Sequence, residues 1–353
     1  VTHLDRLRRE REEGDLFLKF DRALTHAIKF LGWTRSSYYL MSAFISMLFV
    51  IAYVWWPLVV EYINTVDVSK PLLAQVDWLL FGIFAMMSLL IMWRADIRSD
   101  GVIVMVGFVG GLVIESWGTQ THLWTYYTLE RPPLWILPAW PIASLSIDRL
   151  YRFLDVITSK QKTARGLTAS TESVIPSPEG ARNLLDNPGD SSSHPSTARE
   201  KHRAPLGTLL GMTPSTNYQL LFTIFYWLIF PLFYFLMLRF AAPTFDKSLT
   251  LAALFLCAFL ILTPTDSRGA VLTFVAGAGL GYFLELWGTT RLCWTYYTRE
   301  TPPLLAVLAH GMAAVAFWRT ALIVRMMGQK ILANRVSVVT RNLTAEFAEN
   351  AEN

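Results

Sequence analysis

An all-α integral membrane protein, with eight transmembrane helices arranged as two parallel four-helix repeats, is the fold class this sequence predicts. Three observations predict it. First, the 353 residues are 53% hydrophobic and only 16% charged, where an ordinary soluble domain carries about 25% charge. Second, several apolar runs exceed the roughly 18 residues that mark a membrane-crossing helix. A helix crosses lipid because it satisfies its own backbone hydrogen bonds, which an open strand cannot do. Third, a 20-residue stretch recurs 170 residues later. "ESWGTQTHLWTYYTLERPPL" begins at Glu115 and "ELWGTTRLCWTYYTRETPPL" at Glu285, and they agree at 13 positions. Typical residue usage would match one or two by chance.

The N-terminal segment, 1–36, places Leu4, Leu7, Phe17, Phe20, Leu24, Ile28 and Leu31 at largely helical spacing. It reads either as an amphipathic helix lying on the membrane face or as a solvated charged helix ahead of the first span. No cleavable signal is visible in it. The first membrane repeat, 37–157, holds spans at 38–60, 71–93, 101–117 and 133–153. The second, 216–327, holds spans at 217–240, 248–264, 270–287 and 303–325. The runs at 101–117 and 248–264 are short for a bilayer core of about 30 Å. Residues 158–215 are rich in Ser, Pro, Gly and charge and poor in apolar periodicity, the composition of a disordered linker. Residues 328–353 form a tail.

Lys and Arg gather beside the first span, after the second and fourth, and after the eighth. Cytoplasmic loops carry that excess, so both termini and the linker are expected in the cytoplasm, in a multi-pass protein of the cell membrane. With four spans per repeat, both repeats then share one orientation, and the duplicated motif falls on the outer face. The net charge is only +4, with no basic stripe, so nucleic acid is not an expected partner. Membrane lipid and partner membrane proteins are. No metal-ligand spacing, phosphate loop or cofactor motif occurs, so neither metal nor cofactor is expected. A disulfide between Cys257, inside a span, and Cys293, in the motif, is not expected either.

The repeat singles out its chemistry. Gly107 and Gly111, with Gly277 and Gly281, form small-xxx-small faces on which helices approach closely. Glu115 and Glu285 each follow four residues later, on the same helix face. A carboxylate at that depth is costly unless paired or protonated; it is either a functional group or a structural one tied to a neighbouring Tyr or Trp. Tyr126 and Tyr296 join these glutamates as catalytic candidates. Trp117, Trp124, Tyr127, Trp287, Trp294 and Tyr297 are candidate lipid or substrate contacts, although aromatic rings also gather at membrane boundaries for their own sake. "PP" at 132–133 and 302–303 reads as a helix start. Asp96, Arg98 and Arg149, with Asp266, Arg268 and Arg319, are expected to form ion pairs at the inner ends, Arg149 meeting Asp96. His122, His310, Cys293 and Asp148 face Leu292, Trp140, Leu123 and Trp318 at the offset, and no shared role is assigned to them.

The order Glu, two residues, Gly, an aromatic-x-Tyr-Tyr run and a Pro-Leu helix start resembles a motif of membrane carotenoid-modifying proteins. These are the carotenoid hydratase family and, more distantly, the small membrane lycopene cyclases. The stretch from Glu115 to Trp140 is most similar; the second copy has His310 where Trp140 stands. The resemblance implies Glu115 and Glu285 as acid–base groups acting on a polyene double bond. Three functions remain open on the sequence. They are a non-catalytic subunit or scaffold of a membrane assembly, a cofactor-free membrane enzyme on an isoprenoid or carotenoid-like lipid, and a transporter suggested by breaks at Pro57 and Pro231.

Overall fold

A computed structural model describes residues 25, 26, 28, 29, 32–67, 69–171, 214–263 and 266–352, with 72, 160–171, 214–217, 332 and 335–352 described as backbone only. Most of the expected N-terminal helix and residues 172–213 of the linker lie outside the described residues.

The fold is helical. In chain order the helices are α1 (Arg35–Val54), α2 (Trp56–Thr65), α3 (Trp78–Met92), α4 (Ile97–Gln120), α5 (Ala139–Thr171), α6 (Pro214–Ala241), α7 (Ser248–Leu262), α8 (Ser267–Thr290) and α9 (Leu304–Glu352). Two three-residue strands, β1 (Trp124–Tyr126) and β2 (Trp294–Tyr296), follow α4 and α8. Helices α4, α5, α8 and α9 pack on one another at the centre; α1 and α3 flank them on one side and α6 and α7 on the other.

Among the described residues, five helical stretches are long and apolar enough to cross a membrane: Arg35–Val54, Ile97–Gln120, Tyr218–Thr244, Ser267–Thr290 and Leu304–Ile331. Their outward faces suit lipid. Tyr53 is 83% exposed, Phe49 72% and Leu228 60%, and water does not tolerate such apolar surface in quantity. Other expected spans differ. The stretch 71–93 yields only a 15-residue helix, α3, because Asp77 caps it by accepting the Leu80 N–H at 3.2 Å. The stretch 101–117 lengthens to the 24 residues of α4, since Asp96 caps it further upstream. The stretch 133–153 yields α5, which begins at Ala139, carries Asp148, Arg149 and Arg152, and is not among the five. The prolines also differ from expectation. Pro57 marks the break between α1 and α2, whereas Pro231 sits inside continuous α6. Pro303 leads straight into α9, while a 3-10 turn separates Pro133 from α5.

The glycine faces are packing seams. A Cβ on Gly107 would lie 2.7 Å from Ser144 Oγ of α5, and one on Gly277 2.7 Å from Ala314 of α9. One turn further along, Gly111 faces Trp140 and Gly281 faces His310 at 2.4 Å. The closest approach permits those two large rings to sit beside the glutamates.

Candidate functional site

Each motif begins where its helix ends. Leu123 N–H donates to Gly118 O at 2.9 Å, and Cys293 N–H to Gly288 O at 2.9 Å. The residues between, His122 and Leu292, take left-handed φ of 62° and 55°. That hydrogen-bond pattern closes the helix and reverses the chain. The reversed segments pair antiparallel across the two halves: Trp124 with Tyr296, Thr125 with Thr295, Tyr126 with Trp294. Reciprocal bonds extend the ribbon, from Tyr127 N–H to Cys293 O at 3.1 Å and from Tyr297 N–H to Leu123 O at 3.0 Å. Each half thus gives the other what it receives, as a local two-fold relation requires.

The ribbon folds the rings back onto the glutamates. Glu115 is 2% exposed. Its Oε1 accepts the Tyr126 hydroxyl at 2.9 Å and the Trp140 indole at 3.1 Å, and its Oε2 accepts the Trp124 indole at 3.2 Å. Glu285, also 2% exposed, accepts Tyr296 at 2.8 Å and pairs with His310 Nε2 at 2.8 Å through Oε1, and accepts Trp294 at 2.9 Å through Oε2. Burial, reinforced by the adjacent carboxylates, holds the Tyr126 and Tyr296 phenols well above their ordinary range, so they stay protonated donors. Gly118 and Gly288 are the room for this arrangement. A Cβ at either would lie within 1.8 Å or 2.0 Å of the Trp124 or Trp294 ring.

The remaining motif aromatics tie the ribbon to the bundle. Tyr127 donates to Val54 O at 2.5 Å and Tyr297 to Phe240 O at 2.9 Å, the ends of α1 and α6. Trp117 donates to Thr250 of α7 at 3.2 Å, and Trp287 to Asp77 at the start of α3 at 3.0 Å, so each half grips the other. Trp287 also stacks on Trp55, with centroids 5.2 Å apart.

Glu115, Glu285, Trp117, Trp124, Trp287, Trp294, Tyr126 and Tyr296 all line one cavity of about 910 Å³. From there it runs to Gly101 on α4 and Val324 on α9. Fourteen residues separate Gly101 from Glu115, hence about 21 Å of helix. Apart from the glutamate end and Thr320, whose hydroxyl donates to Ala316 O at 2.8 Å, its wall is apolar. Met105 and Val109 line it and are 63% and 53% exposed, so it opens sideways between helices.

The residues expected to pair at the inner ends do not assemble as predicted. Arg149 meets Asp100 at 2.6 Å and Asp148 at 2.6 Å, and donates Nε–H to Trp93 O at 2.9 Å. Asp96, the expected partner, precedes the helix and turns back to accept the Arg98 N–H at 3.2 Å. Asp100, one turn on, faces α5 instead. No ion pair of the Arg98 side chain occurs among the described residues. Asp266 caps α8 by accepting Gly269 N–H at 3.0 Å. Arg268 pairs with Asp155 at 2.6 Å, joining α8 to α5. Arg319, buried, donates to Thr263 at 3.3 Å; Asp100 and Asp148 have Ala270 and Trp318 as offset counterparts.

Residues given no shared role also fall into place. His310 and Trp140 occupy equivalent positions against their glutamates and stack on each other at 5.9 Å and 19°. The signal was the 170-residue offset, disguised by a change of residue type. His122 contacts Arg131 at 3.0 Å. Cys257 and Cys293 are free thiols. Among the described residues, no group of three or more His, Cys, Asp or Glu side chains could hold a metal. The β-ribbon was not expected from sequence either, although W-T-Y is a run of strand-favouring residues.

Fold and site together define a class: an all-α protein with membrane-length apolar helices and a carboxylate-tipped internal cavity. Comparison with known protein families, curated proteins and solved structures finds no match to this chain.

Proposed function

We propose that this chain is a multi-pass protein of the cell membrane, with eight spans in two parallel four-helix units, that takes a long apolar lipid of isoprenoid type into its cavity and acts on it by acid–base chemistry at the buried glutamates. One observation carries the reading. Two nearly inaccessible carboxylates stand at one end of a cavity about 910 Å³ in volume, largely apolar elsewhere and open to the side. Ligand cavities of that size, apolar with a few convergent polar groups, are the usual form of a small-molecule site. A sideways mouth suits a substrate arriving from the bilayer.

The chemistry that such a site supports is redox-neutral. A proton passes from a carboxyl group to one carbon of a double bond and leaves a cation on the other. Trp and Tyr ring faces around it stabilise positive charge. Loss of a proton from a neighbouring carbon to the carboxylate completes the cycle. In this reading the two buried glutamates form the acid–base centre, Tyr126 and Tyr296 hold their carboxylates, and the tryptophans shape the cavity. The ribbon lies at the outer face, with the Arg-bearing inner ends and both termini in the cytoplasm, in keeping with the distribution of Lys and Arg.

A second reading has one observation in its favour. Every carboxylate oxygen at the site is already paired with neutral donors or His310. A structural staple within a non-catalytic subunit needs the same arrangement. Lipid extraction and mass spectrometry of the purified chain separates the two. The enzyme reading expects an apolar lipid at about one per chain. It expects Glu115→Gln and Glu285→Gln to change that lipid's chemical form while the protein remains in the membrane. Extracts holding only bulk phospholipid would refute it in favour of the staple.

A further inference from the structure

We propose that Glu285 and His310 share an exchangeable proton, so that the second half of the molecule holds the proton-transferring centre and the first half a fixed carboxylate. This rests on the cavity reading above for its use, though not for its test. The two half-sites match donor for donor except at one place. Glu115 receives Tyr126, Trp124 and Trp140, whose O–H and N–H protons all stay where they are near neutral pH. Glu285 receives Tyr296 and Trp294 and pairs with His310 Nε2. An imidazole ring nitrogen can give a proton or take one, whereas an indole N–H only donates.

Its placement suits a relay. His310 Nε2 is 2.8 Å from Glu285 Oε1, its ring is flat against Trp140, and it lines the cavity. Its side chain is 21% exposed against 3% for Glu285, so the imidazole is the member of the pair that the cavity can reach. Gly281 on α8 provides the clearance. The titratable groups facing His310 are Glu285 of α8 and Glu115 of α4, which in turn accept Tyr296 and Tyr126 of the ribbon. Glu115 is within electrostatic range but bonded to none of the exchangeable donors. A proton delivered by this pair to an alkene carbon is regained from a neighbouring carbon, and nothing else is consumed.

The test needs no substrate. Infrared difference spectra between light and heavy water are taken on the full chain in phosphatidylcholine nanodiscs. Wild type should show imidazole ring bands coupled to a carboxyl band. His310→Trp copies position 140, keeps an N–H for Glu285, and should abolish both; His310→Gln serves if the larger ring prevents folding. Glu285→Gln should remove the carboxyl band and displace the imidazole bands, and Glu115→Gln should leave both in place. Exchanging the two residues, Trp140→His with His310→Trp, should move the dependence to Glu115. Bands that survive His310→Trp, or that respond equally to both glutamate variants, overturn the proposal. If a lipid is bound, its deuterium uptake from heavy water should fall by about a hundredfold in His310→Trp. Absence of any bound lipid would refute the cavity reading and leave the spectroscopic result to decide the proton-sharing pair.

Discussion

Replacing Glu115 by leucine and, separately, by glutamine measures what the buried carboxylate holds together. Leucine leaves the Tyr126 hydroxyl and the Trp124 and Trp140 indoles without their acceptor. A buried donor stripped of its partner costs about 1–3 kcal/mol, so three orphans cost about 3–9 kcal/mol if none finds a new acceptor. Glutamine behaves differently because of how the bonds divide. Its carbonyl oxygen can take the place of Oε1, which accepts from both Tyr126 and Trp140. Only its amide nitrogen, in the place of Oε2, meets the Trp124 indole donor to donor. One bond is lost, at about 1–3 kcal/mol. Thermal unfolding in detergent, followed by tryptophan fluorescence, should therefore rank wild type above glutamine and glutamine well above leucine. A leucine variant as stable as the glutamine variant would refute the accounting, and with it the claim that this carboxylate organises the ribbon.

Four other outcomes are expected. Alanine at Gly118 or Gly288 drives a Cβ into the Trp124 or Trp294 ring, so each should lower stability by about 1–3 kcal/mol and expose the ribbon to protease. Asp100→Asn strips one of two charge partners from Arg149, which is 1% exposed and keeps Asp148, and should cost about 1.5–3 kcal/mol; Asp96→Ala removes only a cap and should cost about 1 kcal/mol, whereas Asp96→Asn keeps a capping oxygen and should cost less, all read by denaturant unfolding. Burial pushes the Cys293 thiol up to about 12, so maleimide at neutral pH should label it only after denaturation. At Asp77 burial pushes the carboxyl up, but the Leu80 N–H, the Trp287 indole and Arg291 outweigh it and hold it below its ordinary value. Its contribution is thus complete above about pH 3.9 and lost as pH falls below that, which Trp287 fluorescence should follow and Asp77→Asn should abolish.

Much of the site was legible because duplication marks it. Glu115, Glu285 and the W-T-Y-Y-T run stand out at a glance, and the glycines announce close helix seams. What misled was residue type. His310 and Trp140 look unrelated, yet an indole N–H and an imidazole nitrogen can fill the same place beside a carboxylate oxygen. Asp96 looked like the partner of Arg149 because both recur at the offset. Asp100, which has no acidic counterpart, is the partner, because one helical turn decides which carboxylate faces α5. Span lengths erred for a related reason: apolar runs say where a helix can exist, whereas Asp77 and Asp96 decide where one starts.

From the sequence alone came the helical membrane class, through apolar length and scarce charge, and the positions that matter, through their recurrence. Those properties are local, written in the order and spacing of side chains. Tertiary structure alone decided that β1 of one half pairs with β2 of the other, that Trp117 and Trp287 cross between halves, and that eight motif side chains close on a single cavity. Such contacts join residues about 170 positions apart, and only the packing of α4, α5, α8 and α9 brings them within hydrogen-bonding distance.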